Sequence, residues 1–408
     1  MSRILLFALG FALTGGGPEP LAPPQRLPPP DAAQPFDVAP VLQWERRLPG
    51  PPVESATHTE RSRPATDGDT LFLGYAAVPR LARIDRLTGE VLRTYDARAP
   101  VQAEPVLAAD KVFFVDSAGY TWCYAIDGDE PLWSHYGGAP IASRPTLHNG
   151  LLIVASVDDV VYALGVDDGL IRWRYQRPAD PTRDSELTLF GAPSPVVAGS
   201  LVLAGFSDGA VVGLGLGGGE VQWERRAGEG RYPDIIGTPL VIDTEAYVGG
   251  YSEPLVSLDL ITRNVRWRLD VGSAAAPAVV GDRLYHGATD GKLRAIDRRT
   301  GEVVWTWDSE TTGALTTPQP TDAGLVVASS DGGLYLVDAE TGALIWQYDP
   351  GYLLSGITAA PLVVGRQLLA VTNAGRLLSF ISPEPEPLDS IPPMMDWSEK
   401  PAGPADQP

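Results

Sequence analysis

The feature that most restricts this chain is a nine-residue unit that recurs along it. In Asp297-Arg298-Arg299-Thr300-Gly301-Glu302-Val303-Val304-Trp305 a polar turn leads into a short apolar strand, and Trp stands eight residues after the opening Asp. The same spacing joins Asp338 to Trp346 through Glu340-Thr341-Gly342, and Asp259 to Trp267 through Leu260-Ile261-Thr262. Gly215 leads to Trp223 and Gly165 to Trp173 at that spacing without the Asp. Two copies depart. Asp85-Arg86-Leu87-Thr88-Gly89-Glu90 runs on to Arg93 where Trp is expected, and Asp127 reaches Trp133 two residues early. A period of roughly 40 residues among short β-type runs indicates a propeller, whose blades cannot bury their faces alone.

The units can be counted from their openings, each a residue followed by Pro. There are eight: Arg63-Pro64, Glu104-Pro105, Arg144-Pro145, Ser194-Pro195, Thr238-Pro239, Ala276-Pro277, Thr317-Pro318 and Ala360-Pro361. A β-branched run follows, as in Leu201-Val202-Leu203-Ala204-Gly205, then a polar turn, a second apolar run and the unit ending on Trp. Asp208-Gly209, Asp290-Gly291 and Asp331-Gly332 are expected to form primed hairpin turns, since Gly tolerates positive φ. The eighth unit stops after Leu377-Leu378-Ser379-Phe380-Ile381 without an outer strand, while Val41-Leu42-Gln43-Trp44-Glu45 reads as an outer strand without a blade. One fold answers both irregularities. It is all-β, an eight-bladed β-propeller of four-stranded blades over residues 41–381, closed by the N-terminal strand pairing with the C-terminal blade. Closure leaves no open sheet edge. Trp44, Trp133, Trp173, Trp223, Trp267, Trp305 and Trp346 are assigned to packing between blades.

The flanks have a different composition. Met1-Ser2-Arg3 and the apolar run 4–13 read as a secretory signal peptide occupying residues 1–16, which implies export to the periplasm. Its end, Leu13-Thr14-Gly15-Gly16, is similar to a bacterial lipoprotein box, with Gly16 in place of the lipidated Cys. Without that thiol no thioether-linked lipid forms there. A chain released in soluble form and a copy that has lost its outer-membrane anchor both fit. Residues 17–40 form a Pro-rich tether, and residues 382–408 a Pro-rich tail containing an apolar island at 391–397, either chance or a docking peptide. Both are expected to be disordered.

Net charge is −20, which argues against nucleic acid or an anionic membrane as the main partner. The single Cys, Cys123, excludes an internal disulfide or a Cys-based zinc site, and its apolar surroundings suggest a buried thiol. His58, His135, His148 and His286 show no metal-ligand spacing, and no nucleophile elbow or phosphate loop is present. Asp158-Asp159 and Asp167-Asp168 fall at hairpin turns, where Asp serves the local backbone. No catalytic residue, metal site or cofactor is expected.

The Asp-x-x-Thr-Gly-x-x-x-Trp unit resembles the repeats of pyrroloquinoline quinone dehydrogenases, in which it docks one blade on the next. That resemblance implies adjacent Cys residues against a quinone and a calcium-binding set. This chain has one Cys and no such set that can be located, so the resemblance points to a propeller without the cofactor. Over residues 40–381 the arrangement is more similar to the BamB-like family of outer-membrane assembly lipoproteins of the BAM complex. The likeness rests on the near-lipobox, the tether, eight repeats, the orphan Trp strand and one long connection. From Trp173 to Pro195 the chain runs 22 residues, against 12, 10 and 13 after Trp133, Trp267 and Trp305. Long connections in compact folds are usually functional.

Within that connection Leu187, Leu189 and Gly191 match the family's Leu-x-Leu-Arg-Gly contact loop, and Phe190 replaces the Arg. In the next connection Asp234 matches the first Asp of the family's Asp-x-Asp, and Ile236 replaces the second. The resemblance implies a partner, the periplasmic domain of the outer-membrane barrel-insertion protein, met by Leu187, Leu189 and Phe190 as apolar anchors and Asp234 as a polar flank. Alternating Leu in a long connection equally fits an extra edge strand. The expectation is a non-catalytic periplasmic scaffold, monomeric within a complex, that assists insertion of β-barrel proteins. An envelope interaction propeller with another partner, and a quinone-dependent dehydrogenase, are the alternatives.

Overall fold

The two middle strands of each unit carry almost unbroken apolar runs, and their burial explains why. Val160–Gly165 is buried along its whole length, as is Leu334–Val337, because a neighbouring blade covers each face. Outer strands alternate instead. In Ile171–Gln176 the buried Trp173 is flanked by exposed residues. The computed structural model describes residues 39–50, 60–178, 193–228, 233–351 and 356–383. The expected signal peptide, tether and tail island lie outside them.

The described residues form eight four-stranded sheets, each a meander from an inner to an outer strand. Blade 1 is Ala65–Thr66, Thr70–Gly74, Arg80–Asp85 and Val91–Asp96, and blades 2 to 7 repeat that order. Blade 8 takes its three inner strands from the C-terminal end and its outer strand, Val41–Arg47, from the N-terminal end. Val41 pairs with Ile381 and Arg47 with Arg376 in an antiparallel ladder. An Arg376–Glu45 ion pair and a 2.8 Å bond from Leu48 N to Gly375 O reinforce it.

There is no single core but a separate apolar cluster at each interface. Leu71, Ile84, Leu369 and Leu377 pack between blades 8 and 1, and Phe72, Tyr95, Val112 and Phe114 between blades 1 and 2. The recurring unit joins the blades at their outer edges. In blade 6 the Asp297 carboxylate accepts the backbone N–H groups of Arg299 and Thr300, at 2.9 and 3.1 Å, and so closes the turn. Gly301 then takes φ +79°, and the Trp267 indole of blade 5 lies against it. The same contact pairs Trp44 with Gly89, Trp133 with Gly169, Trp173 with Gly219 and Trp305 with Gly342. Their Nε1–H groups complete four of these joints. Trp133, Trp173, Trp267 and Trp305 donate to the carbonyls of Val166, Leu216, Arg298 and Ala339, at 2.8–3.1 Å.

Room for five of the indoles is made within their own blades. Cys123, Ala163, Gly213, Ser257 and Ala295 stand directly across from Trp133, Trp173, Trp223, Trp267 and Trp305, and a β-bulge follows each pair. The lone Cys is thus a small residue facing a Trp, and burial pushes its thiol up to about 12.

Three joints depart from the pattern. Arg93 stands at the Trp position of blade 1 and pairs with Asp129 in the shortened turn of blade 2, while Arg83 reaches Asp127 at 2.8 Å. Trp223 meets blade 5 where Arg263, not Gly, holds φ +63°, and its buried Nε1 has no hydrogen-bond partner. Blade 8 ends before such a turn, so Trp346 packs edge-on against Phe380 at 5.6 Å. The expected primed turns are also corrected. In Asp208-Gly209 and Asp290-Gly291 only the glycine has positive φ, +83° and +74°, and Asp331-Gly332 has none. A type I′ turn needs it at both positions, whereas the Phe206–Gly209 turn closes with Gly209 N bonded to Phe206 O and has Gly209, its last residue, left-handed.

Candidate functional site: the funnel and its rim

Strand direction sorts the chain onto two faces. The chain enters at Val41 beside its exit at Ile381, and Gln367 also pairs with Ile381, so both ends share the face of the Asp–Gly joint turns. The Pro-containing openings and the turns between middle strands lie on the opposite face. There they enclose a central funnel of about 810 Å³.

The funnel wall is mostly small: Ala142, Ala275, Ala314 and Ala360 alternate with Ser194, Thr238 and Thr317. The inner strands converge here, and small side chains leave the axis open. Its charged residues cluster on one side. Arg63 crosses from blade 1, lying 3.4 Å from Glu104 of blade 2 and donating to Gln319 Oε1 of blade 7 at 3.0 Å. Arg144 of blade 3 approaches Glu104 from the other side at 3.3 Å. Arg63 Nε is buried with no hydrogen-bond partner among the described residues, and Arg61 is exposed.

The two connections singled out by sequence open on this face and are anchored at one place. Arg177, where the connection after blade 3 begins, lies 2.7 Å from Asp208 and from Glu224, and 5.5 Å from the centroid of the Phe206 ring. These carboxylates hold its guanidinium charged. At the end of the next connection Ile235 N donates to Phe206 O at 3.2 Å and pairs with Gly250. The described ends of both connections, Arg177 and Ile235, therefore meet at the blade 4 turn Phe206–Gly209. Leu187, Leu189 and Phe190 lie outside the described residues. Asp234 lies within them and is 2% exposed, so its carboxylate is covered by its own chain. Ile236, which replaces the family's second Asp, lines the funnel. Sequence reading missed Arg177, whose only signal was a basic residue directly after an outer strand.

Elsewhere, local hydrogen bonds or burial account for the shifted groups: the Thr262 N–H and Arg266 lower the Asp259 carboxyl. His286 is buried, donates from Nε2 to Gly272 O at 3.2 Å, and is lowered to about 4 by desolvation. Among the described residues no three His, Cys, Asp or Glu side chains stand together as a metal site, and no helix is long and apolar enough to cross a membrane.

Fold and joints define the class: an eight-bladed propeller built from quinone-type repeats. The family model described as "Outer membrane protein assembly factor BamB" matches residues 41–140, 121–307 and 262–380, and the chain belongs to that family. The protein of that name from Yersinia pestis is 26% identical over 265 residues, 63% of this chain and 65% of that one. The Shewanella oneidensis relative is 25% identical over 54% of this chain and 56% of its own length. These matches thus span less than two thirds of the relatives' length. Among solved structures, BamB from Moraxella catarrhalis superposes with a TM-score of 0.71 at 18% identity, covering 84% of this chain and all of that one. A quinohemoprotein alcohol dehydrogenase from Pseudomonas putida has the same ring at 14% identity and TM-score 0.66, covering 90% of this chain and 78% of that one.

Proposed function

We propose that this protein is a non-catalytic periplasmic scaffold that assists assembly of β-barrel proteins into the outer membrane. It docks on a periplasmic domain of the barrel-insertion protein through the rim of the funnel face. Family membership carries the general role. For the surface, the supporting observation is that Arg177, at the start of the connection after blade 3, and Ile235, near the end of the connection after blade 4, meet at one turn, Phe206–Gly209. Rigidly based, adjacent connections are how scaffolds place contact residues.

Leu187, Leu189 and Phe190 supply the apolar centre of the contact. Asp234, buried in the free chain, acts by shaping the second connection or becomes exposed on docking. Among the described residues lining the funnel, Tyr251 is the one aromatic ring.

Pull-down of the purified chain with the periplasmic repeats of the barrel-insertion protein tests the surface. Leu187→Asp combined with Leu189→Asp is expected to abolish capture, and undiminished capture by the folded double variant would sink it.

A further inference from the structure

The funnel floor has a charge opposite to that of the protein. Over the whole chain 51 acidic residues outnumber 31 basic ones. Among the described residues lining the funnel, Arg61, Arg63 and Arg144 face a single carboxylate, Glu104, and the other described lining residues are uncharged.

Glu104 is engaged from both sides, 3.4 Å from Arg63 and 3.3 Å from Arg144, and is largely buried between them. One carboxylate cannot neutralise three guanidiniums, and the lining retains two positive charges. Arg144, 49% exposed, and the exposed Arg61 both line the open cavity, while Arg63 directs its N–H groups to Glu104, Gln319 and Pro361 O. A concave, low-dielectric wall concentrates such a field. Guanidinium forks match carboxylates in pairs of parallel hydrogen bonds. The surrounding Ser and Thr hydroxyls add donors, and the Ala-lined wall leaves the axis open to a ligand.

We propose that the funnel is a binding site for a carboxylate-bearing ligand, held by Arg61 and Arg144 over the Arg63–Glu104 floor. The shared chemistry has two sources, a free polycarboxylate or the C-terminal carboxylate of an extended peptide, for which 810 Å³ leaves room for a few residues. The site stands independently of rim docking, since none of its residues belongs to the proposed contact.

Calorimetric titration of the full chain at low salt tests this with three probes: citrate, N-acetyl-tetraalanine with a free C-terminus, and the same peptide as its amide. Saturable binding of citrate, of the acid peptide or of both is expected, with the amide at least about tenfold weaker than the acid and affinity falling as salt rises. Citrate alone identifies a free solute as the ligand, and the acid peptide alone a chain terminus. Arg61→Ser combined with Arg144→Ser should weaken the bound probe at least about tenfold, whereas Arg299→Ser, in the joint turn of blade 6 on the opposite face of the ring, should leave it unchanged. Both variants spare Arg63, which braces the channel, and circular dichroism verifies that they fold. Absence of saturable binding by citrate and acid peptide, equal binding of acid and amide, or full binding by the Arg61/Arg144 variant would overturn the proposal.

Discussion

Gly301→Ala isolates what one joint contributes. Ala at φ +79° occupies the left-handed region, which costs about 1–2 kcal/mol for a residue with a Cβ. The added methyl would also lie 2.7 Å from Cγ and Cδ2 of Trp267, a distance no real contact tolerates. The indole must move, which breaks the 2.9 Å bond from its Nε1 to Arg298 O, worth about 1 kcal/mol, and loosens its packing. The loss should be about 2–4 kcal/mol in urea unfolding followed by Trp fluorescence. Gly281→Ala is the control. That residue has φ +59° and nothing within 4 Å of the added methyl, so it incurs the backbone cost alone, about 1–2 kcal/mol. If both variants lose the same stability, the Trp–Gly contact is incidental and the account of the joints is wrong.

Arg263→Gly should act in the opposite sense, gaining up to about 1 kcal/mol by relieving a side chain at φ +63°, as read from the same unfolding curves. Trp267→Ala should cost about 3–5 kcal/mol and Arg93→Ala no more than about 1, because Asp129, the ion-pair partner of Arg93, is 90% exposed. Comparable losses would show that the Arg joint is no weaker than a Trp joint. Glu60 is 4% exposed, and burial raises its carboxyl to about 7 even though it accepts the Ala76 N–H at 3.0 Å. A carboxyl pKa higher in the folded state favours folding fully below about 4, and that contribution is lost as pH rises to about 7. Glu60→Gln keeps the acceptor and removes the titration. Its stability advantage over the parent should be absent near pH 4 and reach on the order of 2–4 kcal/mol at about pH 8; a constant difference across that range would refute the assignment.

The blade count and the closing role of Trp44 were legible because both rest on spacing along the chain. Joints were legible only on one side. Arg93 and the early Trp133 read as separate irregularities, yet in space they are one: where blade 1 lacks its Trp, the adjoining turn of blade 2 is shortened and supplies Asp129. The hint was their adjacency in repeat order. The small residues across from five of the Trp residues were invisible for a different reason, since strand register depends on bulges that no local signal announced. At the candidate site, Asp234 could be matched by motif, but its burial depends on how Ile235 pairs with Gly250, a contact between distant turns. The same holds for the funnel charge. Arg61, Arg63, Glu104 and Arg144 belong to three blades and gather only because the ring brings its openings together.

The pairing of Val41–Arg47 with Arg376–Ile381 also decides how the molecule meets mechanical load. Tension on the segment preceding Val41, directed along that strand, reaches a ladder of six residue pairs whose hydrogen bonds lie across the pull. The rungs share the force in shear instead of opening one at a time. Because Ile381 sits beside Val41, a pull on both ends together drags the two strands the same way and leaves the ladder unstressed. The ring is therefore a strong attachment when held by its N-terminal end, and its two ends can be loaded jointly without being prised apart.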